Sequence, residues 1–118
     1  MVRVADIIAG FDQNQQEIAW FIHEWLTLDY DLFCKIKYKI PFYYQKSWIC
    51  YVNPVKYSGI ELCFMKANKL TNEQGLLESK GRKYVAGITM YTIDHNLFKK
   101  IRVDLLEALD NDLQCTPK

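Results

Sequence analysis

Residues 35–51, KIKYKIPFYYQKSWICY, decide how the rest of the chain is read. Apolar and polar side chains alternate from Ile36 to Tyr44, and a strand's side chains alternate between its faces with period two. The alternation predicts one strand with Ile36, Tyr38, Ile40, Phe42 and Tyr44 facing a core. Lys37, Lys39, Pro41 and Tyr43 then face outward. Gln45-Lys46 reads as a turn, and Trp48–Val52, nearly all apolar, as a second and central strand. Neither Gln nor Lys favours the positive φ of a two-residue hairpin, so this turn should be of a different or longer type.

Outward from that stretch, helix signals lie on both sides. Residues 4–9 form a short helical lead-in. Asp12 is placed as an N-cap, with Gln15 three residues on to complete a capping box. The helix that follows runs to about Leu28, and its buried stripe is Ile18, Phe21, Ile22, Trp25 and Leu26. Asn53-Pro54 reads as the end of the second strand. A third strand follows Gly59, with Ile60, Leu62 and Phe64 inward and Glu61 and Cys63 on the other side. Residues 66–82 form a polar excursion tacked down by Leu70, Leu76 and Leu77. A fourth strand from Lys83 to about Tyr91 carries Tyr84, Ala86, Ile88 and Met90 on one face. Asp94 caps a last helix with a stripe of Leu97, Phe98, Ile101, Leu105, Ala108 and Leu109. The expected fold class is α+β: an antiparallel sheet of four or five strands packed on an N-terminal and a C-terminal helix, its other face partly open.

Composition narrows the function classes. The 118 residues suit one domain, and half of them are hydrophobic, enough for a core without staples. Fifteen basic residues balance fourteen acidic ones, which argues against nucleic acid or an anionic membrane as a partner held by global charge. Any electrostatic function must come from local clustering. No apolar run approaches the ~20 residues of a membrane span. No secretion signal is legible, so Cys34, Cys50, Cys63 and Cys115 read as reduced thiols of a cytoplasmic protein.

Lys39-Ile40-Pro41-Phe42-Tyr43, Trp48-Ile49-Cys50-Tyr51 and Ile60-Glu61-Leu62-Cys63-Phe64 together resemble the YdhG-like family of bacterial domains of unknown function. Leu70-Thr71-Asn72, Gly75-Leu76-Leu77-Glu78, Gly81-Arg82-Lys83 and the terminal Leu105-Leu106-Glu107-Ala108-Leu109 continue the resemblance, which spans roughly residues 14 to 110. It implies one YdhG-like domain over 1–118, with a shape likened to frataxin. One branch of the family is described as a frataxin-like iron chaperone. The chain departs from the family pattern at Gln45 and Ala67, where Gly is usual.

Chemistry-bearing constellations are sparse. The chain has no Ser elbow, Gly-rich phosphate loop or His-Glu-x-x-His helix, and a Cys–His pair would need His23 or His95 to meet a cysteine in the fold. The expectation is a non-enzymatic binding or carrier protein without a resident cofactor. Its ligand would be a small anion or a protein partner on the open sheet face, at Lys37, Lys39, Tyr43 and Arg82. Arg82 matters most there, because its planar fork grips an anion at two points. The competing reading is that Arg82 pairs with Glu78 or Glu61, and that the lysines only keep the strand from aggregating. The alternative function implied by the resemblance is an iron chaperone holding iron weakly on surface carboxylates. Asp104 and Glu107 share one face of the last helix, although Lys100 could simply pair with Asp104. A homodimer covering the aromatic sheet is a third reading.

Overall fold

The computed structural model describes residues 3–114. Its elements run α1 (Val4–Ala9), α2 (Gln13–Glu24), a π-helical turn (Trp25–Asp29), β1 (Phe33–Lys37), β2 (Ile40–Tyr44), β3 (Trp48–Val55), β4 (Gly59–Met65), a 3₁₀ turn (Ala67–Lys69), β5 (Val85–Met90) and α3 (His95–Gln114). The five strands form one antiparallel meander in the order β1-β2-β3-β4-β5. Asp12 caps α2: its side chain accepts the Gln15 N–H at 2.9 Å, and Gln15 Oε1 accepts the Asp12 N–H at 3.2 Å. Asp94 accepts from the backbone of Asn96 and Leu97 at the start of α3.

Ile18, Ile22 and Leu26 from the first helical segment, and Phe98, Ile101, Leu105 and Leu109 from α3, bury themselves on one sheet face. That face presents Val52, Ile60, Leu62, Phe64, Ala86, Ile88 and Met90. Burying such a side chain stabilises the fold by roughly 1.5–3 kcal/mol, so this layer holds the helices to the sheet. The loop between the 3₁₀ turn and β5 is tied down by Leu77 and by a reciprocal pair of backbone bonds between Glu78 and Gly87.

The opening stretch folds differently from its alternation. It is a hairpin, with Ile36 opposite Pro41 and Lys37 opposite Ile40, closed by Tyr38 (φ 54°) and Lys39 (φ 62°). Two consecutive positive φ values match the twist of a two-residue hairpin, a conformation Gly and Asn adopt far more readily. The turn reverses the chain and inverts the parity beyond it. Ile36 therefore shares the helix-facing side with Pro41 and Tyr43, whereas Phe42 and Tyr44 lie on the open face. Tyr43, expected to point outward, is fully buried. Tyr38 is 81% exposed. A second correction concerns β3, which continues through Asn53-Pro54 to Val55. Tyr84, expected on one strand face with Ala86, Ile88 and Met90, precedes β5 and is exposed.

Candidate functional site

The open face of the sheet has two unlike halves. Over β1–β3 it is a continuous cluster of rings. Phe33 lies 5.4 Å from Tyr44, Tyr44 5.1 Å from Trp48, Trp48 5.6 Å from Phe42, and Phe42 stacks on Tyr51 at 4.7 Å (centroid distances). These contacts follow from register, because Phe33 is opposite Tyr44, Tyr44 opposite Trp48 and Phe42 opposite Tyr51, and cross-strand aromatic pairs stabilise a sheet. Phe33 remains 62% exposed at the edge. Lys35 and Lys37 stand among the rings. Lys37 Nζ is 4.9 Å from the Trp48 ring centroid and within 6 Å of those of Tyr38 and Phe42, and Lys35 Nζ is 5.5 Å from that of Tyr44. Such cation–π contacts hold an ammonium over a ring while leaving its charge toward water.

Over β4–β5 the same face is closed by charge. Glu61, 3% exposed, takes Arg82 Nη2 at 2.8 Å and Nη1 at 3.4 Å, with Lys80 at 3.5 Å. Gly87 makes room for it: a Cβ there would fall 2.7 Å from Glu61 Oε2 and 2.9 Å from the Leu62 carbonyl oxygen. Burial pushes the Glu61 carboxyl up. The Arg82 and Cys63 hydrogen bonds and the Arg82 and Lys80 charges outweigh it, holding the group below its usual 4.5.

The four residues expected to converge do not meet. Lys37 stands on the ring half and Lys39 in the β1–β2 turn, both exposed. Tyr43 faces the helices. Arg82 is committed to Glu61 on β4, three strand spacings or ~14 Å from β1. What the alternation concealed was the ring cluster: its residues are plain in the sequence, but the undetected turn assigned Phe42 and Tyr44 to the core.

Tyr43 has a different setting. Its Oη lies 2.9 Å from His23 Nδ1 on α2, and it pairs across the strands with Cys34. Burial lowers the His23 pKa despite the nearby Glu24 charge, and burial raises the Cys34 thiol to about 11. Burial thus disfavours the charged imidazolium beside the Tyr43 hydroxyl, and at neutral pH the Cys34 sulfur is a thiol rather than the nucleophilic thiolate. Cys50 and Cys63 lie on adjacent strands but on opposite faces, and Cys34, Cys50 and Cys63 are free. Cys115 lies outside the described residues.

The carboxylates of α3 do not fit an iron site. Both oxygens of Glu107 accept the Thr71 N–H at 3.1 Å, and one takes the Thr71 hydroxyl at 3.2 Å. Asp104 is 2% exposed, its Oδ2 has no partner, and the expected ion pair with Lys100 is not formed. Among the described residues no group of three or more His, Cys, Asp or Glu is placed to hold a metal ion. Burial, and then the Glu107 charge, raise the Asp104 pKa above its usual 3.8. A carboxyl whose pKa is raised by folding is penalised once ionised, so the penalty grows as pH rises from 3.8 through the folded value. Asp104→Asn is expected to raise the unfolding free energy at pH 7 by about 1 kcal/mol, with the gain shrinking toward pH 3. Urea titrations at the two pH values check this; a loss of stability at pH 7 would sink it.

A cavity of about 260 Å³ opens at one end of the sheet, where the β2–β3 turn, the exit of β4 and the end of α3 meet. Among the described residues no helix is long and apolar enough to cross a membrane.

No protein-family model matches the chain, and no curated protein matches it at a significant level. Among solved structures it is similar to a crystal structure of a DUF1801-family protein, YdhG from Bacillus subtilis. The TM-score is 0.60 at 19% identity, covering 90% of each chain. The likeness is one of architecture: this chain has the YdhG-like α+β fold, an antiparallel sheet packed on an N-terminal and a C-terminal helix.

Proposed function

We propose that this protein is a non-enzymatic binding module whose open sheet face, on its β1–β3 half, takes a small anion carrying a flat ring system. The observation that carries the reading is Lys37 held over Trp48 at 4.9 Å beside rings that remain open at Phe33 and Tyr38. An aromatic surface accepts a flat ring by stacking, and each such contact contributes ~1–3 kcal/mol where nucleobases are bound. Lys35, Lys37 and Lys39 supply the countercharge. None of them has a carboxylate partner among the described residues, because both ion pairs found there belong to Glu61. Arg82 takes no part, since its fork is already filled.

The test is an NMR titration with adenosine monophosphate, with inorganic phosphate alone as the control for charge without a ring. The nucleotide is expected to shift the side-chain resonances of Phe33, Tyr44 and Trp48 in a saturable way, with phosphate at least about tenfold weaker. Lys37→Ala should weaken the nucleotide about fivefold or more, in line with the ~1 kcal/mol of one charge contact. Unmoved ring resonances at millimolar nucleotide would overturn the reading. So would light scattering that shows a dimer burying the same rings.

A further inference from the structure

The end-of-sheet cavity has a construction of its own. Ile49, Leu70 and Ala108 give it an apolar floor, and Lys66 and Lys69 stand at its rim. Lys66 precedes the 3₁₀ turn in the left-handed conformation (φ 53°), and Lys69 is the last residue of that turn. The two lysines thus flank the turn, and both line the cavity. Neither has a carboxylate partner within ion-pair distance among the described residues.

The cavity's own carboxylate is already occupied. Asp112, 5% exposed, accepts the backbone N–H of Lys46 (2.8 Å) and Ser47 (3.0 Å), the Ser47 hydroxyl and Gln45 Nε2 (3.1 Å). These four donors clamp the β2–β3 turn to α3. Burial pushes the Asp112 carboxyl up, but the hydrogen bonds from Ser47, Gln45 and the turn backbone hold it below its usual 3.8, so it stays ionised and engaged. Lys66 Nζ donates to Ser47 Oγ at 3.0 Å, which fixes one ammonium at the mouth.

We infer that this cavity is a second binding site, for a small organic carboxylate with a short aliphatic tail. Among the described lining residues, two lysines against one engaged aspartate leave a single positive charge at the rim, which matches one carboxylate. No guanidinium fork is present to favour the two-point grip typical of a phosphate. The volume equals about eight or nine waters at ~30 Å³ each, room for a chain of about six carbons on the apolar floor. Trp48 lines both this cavity and the ring cluster, but neither rim lysine belongs to the ring face, so the two sites are told apart by their cations.

Sodium hexanoate is the probe, followed by backbone NMR and calorimetry on the full chain, with acetate and hexanol as controls. Saturable shifts confined to residues 47–49, 65–70 and 108–114 are expected. Acetate, which lacks the tail, and hexanol, which lacks the charge, should each bind at least about tenfold more weakly. Lys69→Met, an exposed change that leaves Asp112 and its clamp intact, should weaken hexanoate about tenfold, the effect of one charge-assisted contact. Lys37→Ala should leave it unchanged, so failure here and failure at the ring face are read separately. Acetate or hexanol binding as tightly as hexanoate overturns the inference, as does an unchanged affinity in Lys69→Met.

Discussion

Arg82→Ala is expected to lower the unfolding free energy at pH 7 by about 3–5 kcal/mol, because it leaves a buried carboxylate without its main partner. Glu61 is 3% exposed, and Arg82 donates to both of its oxygens, at 2.8 and 3.4 Å. Lys80 is the remaining cation, at 3.5 Å and about half exposed. Against a total stability of ~5–15 kcal/mol for a domain of this kind, the loss is severe. The pH dependence is the sharper signature. In the parent protein the Glu61 pKa is held below 4.5. Its stabilising contribution is therefore present above that value and is lost as pH falls through the folded pKa. Without Arg82 the buried carboxyl resists ionisation instead, and the variant regains ground as Glu61 is protonated. The gap between parent and variant should be widest at pH 7 and close toward pH 3. Urea unfolding across that range measures it; a gap that does not change with pH would mean that Arg82 acts through packing alone.

Tyr43→Ala is expected to cost about 3–5 kcal/mol, the range for removing a buried aromatic side chain, whereas Tyr43→Phe should cost about 1 kcal/mol. The ring is fully buried between Cys34, Cys50 and His23, and its hydroxyl hydrogen-bonds His23 Nδ1 at 2.9 Å. The paired variants separate the ring from the hydroxyl. Chemical denaturation at pH 7 decides between them. A Tyr43→Ala cost below ~1 kcal/mol would contradict the reversed faces of β2 and restore Tyr43 to the open side.

Both predictions concern residues whose setting the chain alone did not disclose. The sequence offers Arg82 either an anion to grip or a pairing with Glu61 or Glu78, and the pair with Glu61 is what forms. The reason is long-range. Glu61 and Arg82 are 21 residues apart, and they meet because the loop pairs Glu78 with Gly87 of β5 while Gly87 clears the space for Glu61. The Asp112 clamp on the β2–β3 turn is longer still, spanning 65 residues to Ser47, and no local signal points to it. The cavity between them was invisible for the same cause.

Local signals were reliable where local physics decides the outcome. The Asp12–Gln15 capping box, the stripes of α2 and α3, and the inward Ile60, Leu62 and Phe64 of β4 all depend on neighbours within a turn or two. They appear as the spacing requires. The fold class followed from their order. The opening stretch failed at one point, a turn made by Tyr38 and Lys39 at positive φ, where neither residue type announces such a conformation. Because strand side chains alternate with period two, that single unannounced turn moved Phe42 and Tyr44 to the open face and Tyr43 into the core.

The chain by itself thus determined the helices, the α+β class and the candidacy of the lysines on its first strand. Tertiary structure decided which rings those lysines stand over, which charge Arg82 neutralises and where a cavity opens. A period of two or 3.6 is written in adjacent residues, but the parity beyond a turn, and any contact across the sheet, is settled only when distant segments pack.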